Sequence, residues 1–259
     1  MNHFWLPEVA SAHGEKIDQV IILTHYLMAV LFVGWSVYFV YALFRFRQSK
    51  NPKADYRGVK SHFSTYIEVA VVVAEVVLLV VFSIPLWAKL VVDLPDPKNA
   101  TEVRVVGEQF AWNIHYPGPD GKFGKTSPDL VNAATNPLGL DPKDPSGLDD
   151  VTNVNQMHVP VGKPVLVHIT SKDVIHCFAL QQMRVKHDAI PGMSIPVTFT
   201  PIKTGNWEIA CAQLCGLGHY RMRGFLIVEA QETFDTWIKT QVEAKTKATS
   251  GGGGGGFWD

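Results

Sequence analysis

Hydrophobic residues gather in two long runs near the N-terminus and then scatter into short runs for the rest of the chain. Val20 to Phe44 contains no Asp, Glu, Lys or Arg. At ~1.5 Å per helical residue it spans about 37 Å, more than the roughly 30 Å hydrocarbon core of a bilayer, which predicts a tilted transmembrane helix. A cleaved signal peptide has a basic leader and a shorter apolar core, whereas this run follows Glu8, Glu15, Lys16 and Asp18. The second run, Ile67 to Ala88, carries only Glu68 and Glu75 as charges and closes on Trp87, a residue type favoured at the membrane interface. Residues 20–92 are therefore expected to form a transmembrane hairpin, preceded by an external N-terminal segment, residues 1–19.

After Asp93 the pattern switches to short β-rich runs separated by Gly, Pro and Asp. Thr101 to Val106, Phe110 to His115, Pro164 to Thr170, Val174 to Ala179, Ile195 to Thr200, Asn206 to Ala210 and Gly224 to Glu229 read as strands. Several short strands with turns between them predict an all-β sandwich or small barrel over residues 93–245. Glu232 to Lys245 closes it as an amphipathic helix, with Phe234, Trp237, Ile238 and Val242 on the packing face. Residues 117–154, rich in Gly, Pro, Asn and Asp, are too long for an ordinary connection and read as an ordered insert or a partner-facing loop. The insert holds the domain's whole excess of acid over base. Residues 246–259, with six successive glycines, read as a flexible tail; its Phe257 and Trp258 suggest no role.

Composition sharpens this picture. The chain is 47% hydrophobic and only 18% charged, against roughly 25% charged in soluble domains, which points to lipid as a partner. A net charge of −1 removes the electrostatic attraction behind most nucleic-acid binding, so nucleic acid is not an expected partner. The basic residues Arg45, Arg47, Lys50, Lys53, Arg57 and Lys60 face one acid, Asp55, in the loop between the apolar runs. The positive-inside rule places that loop in the cytoplasm, and both termini on the external, periplasmic side of a bacterial-type cell membrane. Charge within a membrane helix is costly, so Glu68 and Glu75 need an account. Spaced i, i+7, they share one helix face; position alone suits a headgroup-level Glu68 and a Glu75 bonded to a neighbouring subunit, with proton uptake as the sharper alternative.

Candidate chemistry concentrates in Cys211-Ala-Gln-Leu-Cys215-Gly-Leu-Gly-His219-Tyr-Arg-Met222, a C-x3-C-x3-H-x2-M loop after a strand. A second nitrogen ligand is best supplied by His176, from a strand well upstream. Zinc would accept both Cys and both His but has no use for the thioether. A single-copper electron-transfer site would leave one Cys over. Two coppers bridged by Cys211 and Cys215, with His176 on one, His219 on the other, Met222 as a weak axial ligand and the Gln213 carbonyl as its counterpart, use every group. A disulfide between the two Cys leaves His219 and Met222 unexplained. Cys177, alternate to His176 in its strand, reads as a buried apolar thiol.

These residues closely resemble subunit II of the haem-copper oxidases, of the cytochrome c oxidase type. The likeness rests on two helices, Asp173-Val-Ile-His176, Asp188-Ala-Ile-Pro-Gly192 and the C-x3-C-x3-H-x2-M loop. It implies a cupredoxin-like sandwich with a binuclear copper A centre held by His176, Cys211, Gln213 (carbonyl), Cys215, His219 and Met222. It also implies electrons arriving from cytochrome c or an equivalent donor and leaving by the His219 side to haem in subunit I, where oxygen is reduced and protons are pumped. Such a chain is a subunit of an oxidoreductase with other oxidase subunits as partners, and is not catalytic alone. The family often places Trp after the Gln of its aromatic segment; here Gln109 precedes Phe110, with Trp112 further on, so Phe110 and Trp112 are the implied electron-entry groups. Gln109 and Asp188 fall on the implied donor-docking face, and Glu68 matches a glutamate at a proton-channel mouth. Where the family commonly has a Glu that helps bind Mg²⁺ against subunit I, this chain has Gln213, a neutral side-chain ligand. No C-x-x-C-H is present, so the donor is another protein. Quinol oxidases lack these copper ligands, and the large propeller of nitrous-oxide reductase has no room here. A membrane-anchored copper-delivery protein, binding one labile Cu(I), is the alternative from a different class.

Overall fold

A computed structural model describes residues 5–53, 56–58 and 60–250; Asp55 and the glycine tail with Phe257 and Trp258 lie outside the described residues. The chain forms two compact units. One is Lys16–Lys89; the other joins the N-terminal segment through Glu15 to the residues from Leu90 onward.

The first unit holds two helices long and apolar enough to cross a membrane, Gly14–Arg45 and Phe63–Val91, which contain the two expected spans and extend them. Their apolar side chains are exposed, Phe32, Trp35, Phe39, Val72 and Trp87 among them, as suits a surface meant for lipid or another chain rather than water. The first helix ends where Asn51 Nδ2 donates to the Arg45 carbonyl at 2.6 Å and Arg45 Nη1 donates back to Asn51 Oδ1 at 3.2 Å. The second loosens into a π-helical turn over Leu78–Ser83, where Ser83 Oγ donates to the Leu78 carbonyl at 3.2 Å.

In the second unit ten strands make two five-stranded sheets. They are β1 (Thr101–Glu108), β2 (Ala111–Tyr116), β3 (Val151–Val154), β4 (Gln156–Pro160), β5 (Val165–Ser171), β6 (His176–Leu180), β7 (Val185–Ala189), β8 (Ile195–Phe199), β9 (Gly205–Cys211) and β10 (Arg223–Glu229). One sheet runs β3-β2-β1-β5-β8 and the other β4-β10-β9-β6-β7, with β1/β5 and β4/β10 parallel and all other neighbours antiparallel. Alternation explains the layering. Val103 and Val105 of β1, Trp112, Ile114 and Tyr116 of β2, and Val165, Val167 and Ile169 of β5 point inward to meet Phe178, Ile209 and Leu226 of the other sheet.

Three features refine the expected layout. The terminal helix runs Gln231–Ser250, past the expected end at Lys245. Its Phe234 and Trp237 pack on Tyr116 at ring-centroid separations of 6.3 and 5.3 Å, and Trp237 stacks on His158 at 4.1 Å. The expected insert ends in a strand, since Val151–Val154 pairs with β2, so the irregular excursion is shorter than residues 117–154. It is ordered: Phe123 lies against His115 at 4.9 Å with Arg104 over its ring at 4.3 Å, covering the outer face of the first sheet. Finally, the N-terminal segment is not a separate element. Ala10 N donates to the Gln182 carbonyl, Ile202 N to the Ala10 carbonyl and Ser11 Oγ to the Met183 carbonyl, at 2.7–2.9 Å, which threads it into the sandwich edge.

Candidate metal centre

The centre is built where β6 begins and β9 ends. Pairing of Phe178 with Cys211 brings His176 and Cys211 to the same rim of the sandwich, and Ala212 N continues the ladder to the Cys177 carbonyl at 2.9 Å. The loop then turns through a 3-10 segment, His219–Arg221, and returns so that Met222 immediately precedes β10 and its carbonyl accepts from Cys211 N at 3.3 Å. Gly216 allows that path: its φ of +132° is open to glycine and strained for other residues.

All six expected ligands converge. Cys211 Sγ and Cys215 Sγ are free thiols 3.7 Å apart. His176 Nδ1 lies 3.9 Å from Cys211 Sγ, and His219 Nδ1 lies 3.5 Å from Cys215 Sγ. Met222 Sδ is 3.7 Å from Cys215 Sγ, and the Gln213 carbonyl oxygen is 3.2 Å from Cys211 Sγ. The ligand atoms of His176, Cys211 and Cys215 all fall within 4.8 Å of one another. Burial is graded: His176, Cys215 and Met222 are buried, His219 and Cys211 half-buried, Gln213 exposed. The site thus has an inner wall and an outward side.

A carboxylate fixes His176. Its Nε2 donates to Asp173 Oδ1 at 2.8 Å, which leaves Nδ1 to face sulfur, the usual arrangement behind a metal-bound imidazole. Burial works against a charged His176, but the bonds to Cys211 and Asp173 hold its pKa above the ordinary value. Burial likewise raises the Cys211 pKa, yet the His176 hydrogen bond and the backbone at Cys177 and Gln213 outweigh it and bring the thiol down to about 6. Cys215, buried and beside Cys211, is pushed up to about 11. A first thiolate is therefore favoured, and the second waits for a cation. Two soft thiols, two imidazoles aimed by Nδ1, a thioether and a carbonyl around one sulfur pair fit copper, whose preferences include thioether, better than zinc.

The remaining sequence candidates fall differently. Phe110 is half-buried against the loop, and Arg221 lies over its ring at 5.9 Å. Trp112 is fully buried, edge-on to His176 at 6.0 Å and to Phe178 at 5.6 Å. Strand alternation turns it inward, so Trp112 lies beneath the rim against His176 rather than at the surface. Gln109 is exposed as a residue, but its amide is engaged: Nε2 donates to the Cys215 carbonyl at 2.6 Å. Asp188 is exposed on β7, opposite Cys177. The Cys177 thiol is buried, and burial with the neighbouring Asp188 pushes it up to about 12, in keeping with an inert core thiol. Glu68 and Glu75 lie on the second apolar helix, exposed within this chain. Sequence reasoning assigned no role to Asp173; its position three residues before His176 was the available signal.

Fold and site together define a membrane-anchored β-sandwich protein with a thiol-rich metal centre at one rim of the sandwich. The family model for the periplasmic domain of cytochrome c oxidase subunit II matches residues 101–231. The alternative cytochrome c oxidase subunit 2 of Bradyrhizobium diazoefficiens is 34% identical over 240 residues, covering 92% of this chain and 84% of the relative. Cytochrome c oxidase subunit 2 of Synechocystis is 26% identical over 271 residues, covering 95% and 79%. The crystal structure of the periplasmic domain of cytochrome oxidase subunit II from Bradyrhizobium japonicum aligns over 58% of this chain and 97% of that one, with 32% identity and a TM-score of 0.43. This chain belongs to the cytochrome c oxidase subunit II family. It is a subunit of a terminal oxidase, an oxidoreductase complex, and its partners are the other oxidase subunits.

Proposed function

We propose that this chain is the electron-entry subunit of its oxidase, taking single electrons from cytochrome c or an equivalent soluble donor and delivering them to haem in subunit I, where oxygen reduction is coupled to proton pumping. The observation that carries this reading is the convergence of His176, Cys211, Gln213, Cys215, His219 and Met222 around one sulfur pair. Two coppers bound there would supply a one-electron relay, because an electron shared between two metals alters each bond little. Cys211 and Cys215 through sulfur, His176 and His219 through Nδ1, Met222 through Sδ and Gln213 through its carbonyl would hold them. For a magnesium ion at the subunit I interface, the exposed Gln213 side chain offers a neutral oxygen in place of a carboxylate.

Around that set, half-buried Phe110 would take the electron from a donor, and buried Trp112 would extend the aromatic path inward to His176. Asp188 would act on association rate through charge complementarity. The basic loop after Arg45 supports a cytoplasmic loop with the sandwich outside, and the packing of residues 7–12 into the sandwich supports both hairpin ends lying on one side. Glu68, near the loop end of its helix, would then stand at the cytoplasmic side as a proton-entry group; Glu68→Ala should lower turnover and proton uptake together, and unchanged values would remove that role. For the relay itself, rapid mixing of the purified oxidase with reduced cytochrome c should show fast electron uptake that Cys215→Ser abolishes. Fast uptake persisting in that variant would contradict the assignment.

A further inference from the structure

The tip of the β1–β2 hairpin supplies none of the six ligands, yet it touches both segments that do. Gln109 N donates to Asp173 Oδ2 at 2.7 Å, while Asp173 Oδ1 accepts from His176 Nε2 at 2.8 Å. The side chain of the same residue turns the other way, with Nε2 donating to the Cys215 carbonyl at 2.6 Å. One residue therefore spans from the carboxylate that orients His176 to the backbone that carries a bridging thiol. The surroundings leave little slack. A Cβ on Gly216 would sit 2.7 Å from Gln109 Nε2 and 3.2 Å from the Phe110 ring, so the loop approaches this closely only because position 216 is glycine. Beneath the His176 ring, a Cβ on Gly107 would come within 2.9 Å of its Cδ2. The hairpin tip and the two ligand segments are thus in close contact from both sides.

We propose that Gln109 is a positioning residue of the metal centre: its side-chain amide holds the Cys215 end of the loop in register with the Asp173–His176 pair. This rests on the copper reading above. It differs from the docking role that the family resemblance implies, because a docking amide presents its donors to a partner, whereas here Nε2 is already bonded inside the chain. Partners of this outer kind typically change metal affinity by 10–100-fold when removed.

The test uses the purified oxidase carrying Gln109→Glu, which keeps length and volume but faces the Cys215 carbonyl with an acceptor, and Gln109→Leu, which removes the donor without adding charge. The expected result for both is copper loss to a chelator faster by about tenfold, an altered copper hyperfine pattern and a shifted reduction potential, with KM for the donor unchanged. Wild-type copper retention, spectrum and potential with a raised KM would overturn the proposal and make Gln109 a docking residue. A metal-free readout separates this claim from the copper reading. In the full chain without metal, backbone amide exchange across residues 216–222 should speed up by about tenfold in both variants, as losing one such hydrogen bond implies. A wild-type protein that holds no shared-electron copper pair would sink the copper reading, while the exchange result would still decide Gln109; unchanged exchange would overturn it.

Discussion

Two regions of the external unit each contain a buried histidine whose Nε2 donates to a carboxylate, and they are put to different uses. At the metal centre His176 bonds Asp173 at 2.8 Å; under the insert His115 bonds Asp150 at 2.6 Å. What separates them is the second ring nitrogen. Nδ1 of His176 faces the Cys211 sulfur, whereas Nδ1 of His115 is buried without a partner, as is Asp150 Oδ1. The carboxylates differ too. Asp173 is about one-third exposed and anchored by three further donors, the backbone N–H of Gln109 and of Val174 and the Ser171 hydroxyl, while Asp150 is fully buried and ties the insert down by accepting from Gly124 N at 2.9 Å. Lys245 of the terminal helix donates to the Gly147 and Asp150 carbonyls, so the second pair fastens insert, sheet and helix together. A histidine–carboxylate pair is thus no metal signal by itself; the group that the other nitrogen faces decides.

That contrast can be broken in order of effect. Cys211→Ser should abolish the binuclear centre while the fold persists, read by copper content and spectrum of the purified oxidase; a wild-type spectrum would refute the bridging role. Asp150→Ala should do the reverse, lowering stability by about 1–3 kcal/mol because it leaves the N–H groups of His115 Nε2 and Gly124 buried without their acceptor, with the copper spectrum intact. Denaturant titration beside EPR checks both halves. Asp173→Ala should weaken copper retention by roughly 10–100-fold with little change in folding stability, since its site is partly open to solvent. Met222→Leu should keep both coppers and shift their potential, because an axial thioether is a weak ligand; complete metal loss would show it to be a strong one.

The smallest effect is a pH dependence. Burial holds His115 below the ordinary histidine value, with Asp150 pulling the other way and too weakly to restore it. His13 and His187 are lowered in the same sense, by burial. At these three positions the unfolded chain takes up protons more readily than the folded one. Their contribution to stability should be level above about pH 6.5 and fall as the pH drops below it, outweighing His176, whose raised value acts in the opposite sense. Thermal unfolding of the oxidase at pH 7.5 and 5.5 measures this, and an equal or higher midpoint at 5.5 would contradict it.

Much of the fold was legible because the two apolar runs and the interior strands carry strong periodicity: Val165-Leu-Val-His-Ile-Thr-Ser171 alternates as a half-buried strand should. The strands that escaped notice, β3, β4 and β7, are all sheet edges. Edge strands are short and polar on their open side, as in Val185-Lys-His-Asp-Ala189, which hides the alternation. The clustering of the six expected ligands was legible because five of them lie within one loop, residues 211–222. The hydrogen bonds of Gln109 and Asp173 were not, because they depend on the register that brings β1–β2, β6 and the Cys loop to one rim. The depth of Trp112 follows from alternation with Ile114 and Tyr116, which sends it into the core beside His176.

The most direct test of the central claim is copper analysis with EPR on the purified oxidase containing this chain. Two coppers bound at this subunit, with hyperfine structure from one electron shared between them, is the predicted result. A single-site copper spectrum, or zinc in their place, would contradict it.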